Sequence, residues 1–301
     1  MSFKNVLVYS LTQLLDLLQF EDKLNEKVFM PCSPRDAVSV GWTRPAEFLE
    51  ENNLVYRIGQ YDLIALKTES KVLPSASINK ILIEKITEIE SREQRRVKGR
   101  ERADLKDQII YELLPRALSK ESVTMAYVDR VKHQVIVNAS SASNAEKLLS
   151  HLRKTIGSLP VVPLSVENNV PGTMTGWVSD HFPEGFTPGN SASISTDEDG
   201  VIKLKNIDLL SQDVRSHIDA GGRVTKIALT WEDKVVFDLD ANLGIKRIRL
   251  LDLFNENRDE EYDSAAALFE ADLTLFAGGM ADLIEKLVAV FGGEAKQRKV
   301  V

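Results

Sequence analysis

The sequence predicts an α+β fold in which antiparallel sheets pack against helices and one helical arm projects from the body. Strand-like segments separated by short turns indicate hairpins and a three-strand meander, and such turns join antiparallel neighbours. Amphipathic helical patterns lie before, between and after these strands. The 301 residues, 43% hydrophobic and 28% charged, are typical of a soluble globular chain that can bury a sizeable core.

Residues 1–75 are predicted to form an N-terminal α+β part of the body. A nearly all-apolar run indicates the first strand, and leucines near helical spacing indicate the helix that follows. A segment punctuated by proline and glycine is predicted as a loop with at most one turn of helix. The predicted elements are a strand at 3–11, a helix at 12–28, a loop at 30–45, and strands at 54–59 and 61–74 that turn at Gly59 and Gln60.

Residues 76–121 are predicted to form a projecting helical arm. An apolar stripe at helical spacing begins at Ile78, stops near Arg92, resumes at Leu105 and is closed by Pro115. Gly99 lies in the interruption, and a glycine inside a helix costs about 1 kcal/mol relative to alanine. We expect two helices or one bent helix. About 38 helical residues would span roughly 57 Å, so part of this segment must project or fold back.

The remaining chain is predicted as a central ββα segment over 122–183 and a C-terminal meander with helices over 184–301. Alternation, glycine and proline positions, and helical spacing define the elements. They are a hairpin at 122–140, a helix at 142–156, an extended stretch at 158–172, a short helix at 172–182, a loop at 183–200, a strand at 201–209, a helix at 211–222 capped by Ser211 and stopped by Gly221, three strands within 223–251, and a helix pair at 259–293.

Composition excludes several classes of protein. No apolar run approaches the roughly 18 residues of a membrane span, and the N-terminus has no signal-peptide cleavage pattern. Cys32 is the sole cysteine, so an internal disulfide and a thiolate metal cluster are excluded, and a reducing cytoplasm is the simplest compartment. The four histidines are scattered and phosphate-cradling glycine motifs are absent, so no metal or other cofactor is expected.

A strongly basic segment at residues 91–106 stands out in a chain whose formal charge is −7. Its functional interpretation is a binding surface for nucleic-acid phosphates, and the alternative is a solvated helix face, which is what charge runs usually are. Like charges at three- and four-residue spacing disfavour a helix slightly, so their presence without compensating acids favours an anionic partner. The first candidates for phosphate binding are Arg92, Arg95, Arg96, Lys98 and Arg100.

Two predicted strands carry a second set of candidate phosphate-binding residues. In a strand, residues two apart share a face, which places Lys203 with Lys205 and Arg247 with Arg249. Ordinary solvent-facing sheet charge is the alternative. Aromatic residues make up only 7% of the chain and none interrupts the basic segment, so stacking on bases is not indicated. Any DNA binding is therefore expected to use backbone phosphates with little sequence readout.

An alternative function is a metal-dependent nuclease. Asp219 and Glu232 could hold Mg²⁺ while Lys234 steadies a water, and the competing interpretation is a polar hairpin turn between two apolar strands. A third possibility is a protein-interaction module that acts on a recombinase without DNA.

Several segments resemble the RdgC family of bacterial recombination-associated proteins. The segment HLRKTIGSLPVVPLSVEN at 151–168 is the most particular of them. It is accompanied, in the same order along nearly the whole chain, by FKNVLVY at 3–9, GW at 41–42, KVLPS at 71–75, LKDQIIYELLPRAL at 105–118 and GGEA at 292–295.

The resemblance implies a non-enzymatic nucleoid protein that binds single- and double-stranded DNA with little sequence preference. It further implies a ring-shaped homodimer whose basic hole encircles duplex DNA, and antagonism of the RecA recombinase by occupying DNA. A ring with cations on its inner wall would reconcile DNA binding with an acidic exterior. The family residue after LLPRA is typically an aromatic contact of the dimer gate. Here it is Leu118, which keeps the contact apolar with less ring area.

Overall fold

The computed structural model of the chain describes residues 3–13, 15, 19–49, 53–196, 200–251 and 264–295. Within these residues it has seven α-helices and a sheet of twelve strands, which confirms the α+β prediction. The strands are β1 (Asn5–Leu11), β2 (Val38–Thr43), β3 (Val55–Ile58), β4 (Tyr61–Val72), β5 (Leu118–Asp129), β6 (Gln134–Val137), β7 (Val161–Pro163), β8 (Phe186–Ser195), β9 (Val201–Lys205), β10 (Arg223–Trp231), β11 (Val235–Asp240) and β12 (Ile245–Leu250). The helices are α1 (Phe20–Asn25), α2 (Ser75–Glu93), α3 (Gly99–Leu113), α4 (Ala142–Ile156), α5 (Val170–Ser179), α6 (Gln212–Asp219) and α7 (Ala265–Val290), with a 3-10 turn at Leu114–Arg116.

The sheet has two halves that meet at the first strand. Its order is β2-β4-β5-β6-β1-β12-β11-β10-β8-β9, with β3 on β4 and β7 on β1, and every named pairing is antiparallel. β1 pairs with β6 along most of its length but with β12 only through Asn5 and Val6. The C-terminal strands therefore continue the N-terminal sheet through a short junction.

Two hydrophobic clusters lie on opposite faces of this sheet. The larger covers one face of both halves and includes side chains from α5 and α7, whereas the smaller lies under α1 and α4 on the other face of the N-terminal half. Strand alternation divides the residues between them, so Val8 enters the first cluster and Tyr9 the second. Among the described residues, no helix contributes to a cluster on the second face of the C-terminal half, which is left uncovered.

The predicted helical arm is a hairpin of two helices with a cluster of its own. Ile78 and Leu82 of α2 are buried against Ile109 of α3, and an ion pair of 3.0 Å joins Lys85 to Glu112. The helices therefore fold back on each other, which is one of the two arrangements that the length predicted. That residues 76–121 form a domain of their own remains a prediction.

Two predicted loops contain strands. The first, at 30–45, includes β2, which pairs with β4 and buries Trp42 completely. Its Gly41 is not a turn residue, because a Cβ there would lie 2.4 Å from the Cα of Phe29. The glycine lets a neighbouring segment approach the strand, which explains why its interpretation as loop punctuation was wrong.

The second such loop, at 183–200, contains β8. Its sequence FTPGNSASIS has low strand propensity, yet β8 pairs with β9 on one side and β10 on the other. Ala192 and Ile194 enter the core on one face while serines occupy the other. Pairing on both edges outweighs the weak local preference, and the prediction of a loop was wrong.

The predicted helix boundaries needed two corrections. The expected C-terminal helix pair is one helix, α7, which continues through Gly278 and Gly279 because its long apolar face packs in the larger cluster. Residues 259–263 of that prediction lie outside the described residues. Of the helix expected over 12–28, the described residues contain α1, and Leu14, Leu17 and Leu18 lie outside the described part.

Candidate nucleic-acid interface

The uncovered face of the C-terminal half carries a group of cations, which we call the cationic sheet face. Residues paired directly across strands point to the same side, so the register relates distant positions. Ser193 pairs with both Lys203 and Lys226, Asp238 pairs with Lys246, and Val236 pairs with Arg249. The cations of the face are Lys203 and Lys205 on β9, Lys226 on β10, and Lys246, Arg247 and Arg249 on β12.

A shallow groove runs over this face. One part, of about 840 Å³, lies between β8 and β12, and an adjoining part of about 450 Å³ extends to β9. Its floor is low because β8 and β10 contribute Gly189, Ser191, Ser193 and Ala228 there. Lys4 and Asp272 lie at the rim. Small neutral residues between cations leave room for an extended polyanion.

Positive charge exceeds negative charge on the cationic sheet face. Its six cations are opposed by two carboxylates on β11. Asp238 is buried and contacts Lys226 at 2.6 Å as well as Arg247, and Asp240 contacts Lys246 at 2.7 Å. Within the described ranges, no ion pair involves Lys203, Lys205 or Arg249. Among the described residues, the six cations and two carboxylates of this face sum to a charge of +4, in a protein whose total is −7.

Sequence reasoning selected four of these six cations and missed two. Lys226 was overlooked because it is a single lysine among mostly apolar neighbours, and Lys246 because plain alternation places it on the opposite face from Arg247 and Arg249. For Lys226 the signal was available in the meander, where it alternates with the buried Ile227, Leu229 and Trp231. Arg247 and Arg249 are both exposed as predicted, but a bulge in β12 rather than plain alternation turns Arg247 outward.

The basic segment at the end of the helical hairpin is partly neutralised by its own acids. Arg95 binds the carboxylate of Glu101 through two hydrogen bonds of 2.7 Å and that of Glu93 through one of 2.8 Å. These bonds raise the pKa of Arg95 and lower the pKa of Glu101. Arg92 also contacts Glu93, at 3.1 Å. The expectation that this segment lacks compensating acids was wrong.

The shared helix face predicted for the arginines is also absent. α2 ends at Glu93, and Gln94 adopts a left-handed conformation with φ of 49°. Arg95 and Arg96 therefore lie outside the helix. Lys98 occupies the N-cap position of α3 and Arg100 lies in its first turn. Arg96, Lys98 and Arg100 are exposed and make no ion pair with the described residues. They stay predicted phosphate contacts.

Leu118, the predicted gate residue, is the most exposed large apolar side chain among the described residues, at 81%. It begins β5 and pairs with Val72. The same face of this ribbon carries Val38 and Val40, which are exposed on β2. These four residues form what we call the apolar arm patch.

The nuclease constellation does not assemble. Asp219 ends α6 just before β10 begins, whereas Glu232 follows the other end of β10. A nine-residue strand separates them by about 26 Å at 3.3 Å per residue. Glu232 and Lys234 form an ion pair of 2.7 Å in the hairpin turn. The proposed set of nuclease residues was therefore wrong. The described residues also contain no group of three or more acidic, histidine or cysteine side chains suited to a metal.

None of the helices described here has the length and apolar character needed to cross a bilayer.

Comparison with known proteins gives the family. A family model described as "Putative exonuclease, RdgC" matches residues 1–294. The chain belongs to the RdgC family. Curated RdgC relatives, each called recombination-associated protein RdgC, are 40% identical in Proteus mirabilis, 38% in Psychromonas ingrahamii and 37% in Yersinia enterocolitica. Each of these alignments covers 98% of this chain and 99% of the relative.

Two of the segments that carried the resemblance to RdgC meet in the fold. The stretch after β7 lies beside the turn that follows α7. Glu167 donates its backbone N–H to Gly293 at 3.0 Å, Asn168 donates to Phe291 at 3.0 Å, and Ala295 donates to Ser165 at 3.0 Å. The RdgC segments at 151–168 and 292–295 are therefore a single structural unit that attaches the end of α7 to the sheet.

Proposed function

We propose that this RdgC-family protein binds single- and double-stranded DNA without sequence preference, through the cationic sheet face. The observation that supports this most strongly is the excess of cations over carboxylates around a groove that is open to solvent. Lysine and arginine that neutralise phosphates release condensed counterions, which supplies affinity irrespective of base sequence. Phe237, the aromatic residue that lines the groove, is buried and presents no face on which a base could stack, which favours contacts to the DNA backbone.

We further propose that two copies form a ring around duplex DNA. The apolar arm patch supplies one contact between the copies, since exposed apolar side chains gathered on one face favour association. Leu118 would be the apolar gate residue of that contact. The cationic sheet faces would line the hole and the remaining, acidic surface would face outward.

The names of the relatives support a role in homologous recombination. We propose that the ring antagonises RecA by occupying DNA on which RecA would otherwise assemble, and that the protein is associated with the nucleoid. A large excess of DNA should then restore recombinase activity. Inhibition that persists in excess DNA would instead support direct contact with the recombinase.

DNA binding is tested by fluorescence anisotropy with labelled single strands and duplexes over a series of salt concentrations. The plot of log affinity against log salt should be linear, with a slope of about −0.9 per phosphate neutralised on duplex DNA. Exchanging Lys205 and Arg249 for Glu should weaken binding to all sequences alike. Exchanging Lys23 and Lys147 for Glu, on the helices that cover the opposite half, changes the total charge equally and should have little effect. An equal loss of DNA affinity in the two double variants would contradict a localised binding site.

The word exonuclease in the family description calls for a direct test of catalysis. We propose a binding protein rather than an enzyme, since the relatives carry no enzyme name and the nuclease residues suggested by the sequence lie far apart. Linear and supercoiled DNA incubated with the protein and Mg²⁺ should keep their length and topology. Degradation that purifies with the protein would overturn this part of the proposal.

A further inference from the structure

Arg247 has a backbone conformation that is unusual for its place in the fold. Its φ is +53°, in the left-handed region that residues with side chains disfavour. Among the described residues, the other non-glycine positions with positive φ lie in turns or at a helix end, whereas Arg247 lies inside a strand. Such an outlier persists only where the surrounding structure holds it, and it is often found at functional sites.

The cause of this conformation is a β-bulge. Val236 pairs with Arg249 and Asp238 pairs with Lys246, so Phe237 alone opposes both Arg247 and Ile248. Without the extra residue, alternation from Lys246 would turn Arg247 into the core and Ile248 out to solvent. The bulge keeps Ile248 buried and adds Arg247, as a third cation of β12, to the groove.

The bulge is fixed from the neighbouring strand. The backbone N–H of Arg247 donates to the side-chain oxygen of Asn5 at 3.3 Å, and that of Ile248 donates to the carbonyl of Lys4 at 2.9 Å. The outward position of Arg247 is therefore built into the junction between β1 and β12.

The carboxylate of Asp238 binds one edge of the Arg247 guanidinium. Both Nε and Nη2 of Arg247 contact its Oδ2, and Nζ of Lys226 lies 2.6 Å from the same oxygen. In the described part of the chain, no partner contacts Nη1, and the Arg247 side chain is 63% exposed. Arginine has five N–H donors in a rigid fork, so an edge bound to Asp238 leaves the opposite edge available.

We propose that Arg247 binds a DNA phosphate through this free edge and that Asp238 is a positioning residue for it. A guanidinium that is already oriented loses less conformational entropy when the phosphate arrives. Hydrogen bonds between guanidinium and phosphate are charge-assisted and favour a planar, two-point geometry. The inference rests on the proposed DNA binding and adds the residue that organises the site.

If charge alone mattered, Asp238 would weaken DNA binding rather than support it. A carboxylate in a phosphate-binding groove repels the ligand, so its removal should tighten binding. Positioning predicts that its removal weakens binding although the protein becomes more positive. The sign of the change therefore separates the two effects.

The experiment compares Asp238→Asn with Asp240→Asn in duplex DNA binding at several salt concentrations. Asp240 is the matched control, because it lies on the same face and pairs with the flexible Lys246. We expect Asp238→Asn to weaken binding by about threefold or more, as for a partly lost charge-assisted bond, and Asp240→Asn to leave binding unchanged or tighter. If Asp238→Asn also leaves binding unchanged or tightens it, the inference is overturned while the proposed function stands. If the wild-type protein binds no DNA, the proposed function fails.

Variants of Arg247 keep the inference testable if Asp238→Asn does not fold. Arg247→Ala and Arg247→Gly both remove the guanidinium, and glycine tolerates the left-handed backbone better. Both should weaken binding and make the salt slope shallower by about 0.9, with the glycine variant melting at the higher temperature. Arg247→Lys should keep the slope but lose affinity. In the Arg247→Ala background, Asp238→Asn should no longer weaken binding. Unchanged affinity and slope in Arg247→Gly would overturn the inference.

Discussion

At the scale of single residues, the buried polar groups near α4 show how neighbouring residues change the pKa of a histidine. The indole N–H of Trp42 donates to the hydroxyl of Thr155 at 3.0 Å, and its ring meets that of His151 edge-on, with centroids 5.3 Å apart. Nε2 of His151 is buried without a hydrogen-bond partner among the described residues. Burial, followed by the nearby Lys27 and Lys154, lowers the pKa of His151.

This lowered pKa predicts loss of stability in mild acid. Between the folded pKa and the unfolded value of about 6.5, the unfolded state binds more protons, so the free energy of unfolding decreases as pH falls through that window. Above the unfolded value this destabilisation is absent. His151→Phe should flatten the dependence of the melting temperature on pH between 7.5 and 5.5, and calorimetry measures it. His181→Phe, at an exposed position, is the control, and an equal flattening there would contradict the assignment.

Gly41 is a residue where a single methyl group should matter. Its Cβ would collide with the backbone of Phe29, because β2 and the preceding segment are in direct contact. Gly41→Ala should therefore lower the melting temperature. A variant as stable as the wild type would show that the two segments can separate at little cost.

At the scale of elements, α7 illustrates how packing overrides local preference. Two adjacent glycines disfavour a helix by about 1 kcal/mol each, yet the apolar face of α7 fills much of the larger cluster. A Cβ on Gly278 would meet no atom within 4 Å. Gly278→Ala should stabilise the protein by up to about 1 kcal/mol, which differential scanning fluorimetry would show as a melting point raised by roughly 2–4 °C. A lowered melting point would contradict the open space around this position.

The helical hairpin makes a separate prediction for DNA binding. Arg95 is held by Glu93 and Glu101, whereas Arg96 is exposed and without an ion pair in the described structure. If the hairpin contacts phosphates, Arg96→Ala should weaken DNA binding more than Arg95→Ala, because a paired guanidinium must first leave its carboxylates. Anisotropy titrations at low salt would measure this. Equal and negligible effects would confine DNA binding to the cationic sheet face.

At the scale of the whole molecule, the proposed ring depends on the apolar arm patch. Leu118→Asp would place a charge in an apolar contact and should shift the protein towards monomers on dilution. Sedimentation velocity over a range of concentrations measures this. Val131→Asp, at an exposed position in the β5–β6 turn, is the matched control. A wild-type protein that is monomeric at all concentrations would contradict the ring itself.

Sequence periodicity was sufficient for the elements that carry their own signal. The strand pair around Gly59, the interrupted helical stripe between Ile78 and Leu113, and the three-strand meander after Gly222 were all predicted and found. Each depends on local alternation or helical spacing, which short-range sterics and burial impose directly. β8 was missed for the converse reason, since its glycine, serine and proline residues become a strand only between two partners.

The candidate site likewise has some features that the sequence predicted and others that only the structure revealed. The sequence by itself determined that Lys203, Lys205 and Arg249 alternate with apolar neighbours, and that the chain has the segments of an RdgC protein. Only the tertiary structure decided that these cations share one uncovered face with Lys226 and Lys246, that Arg247 joins them through a bulge, and that Asp219 and Glu232 stay apart. Alternation along a strand is a local property of the backbone, whereas which strands become neighbours, and where one slips by a residue, depends on contacts between residues distant in the chain.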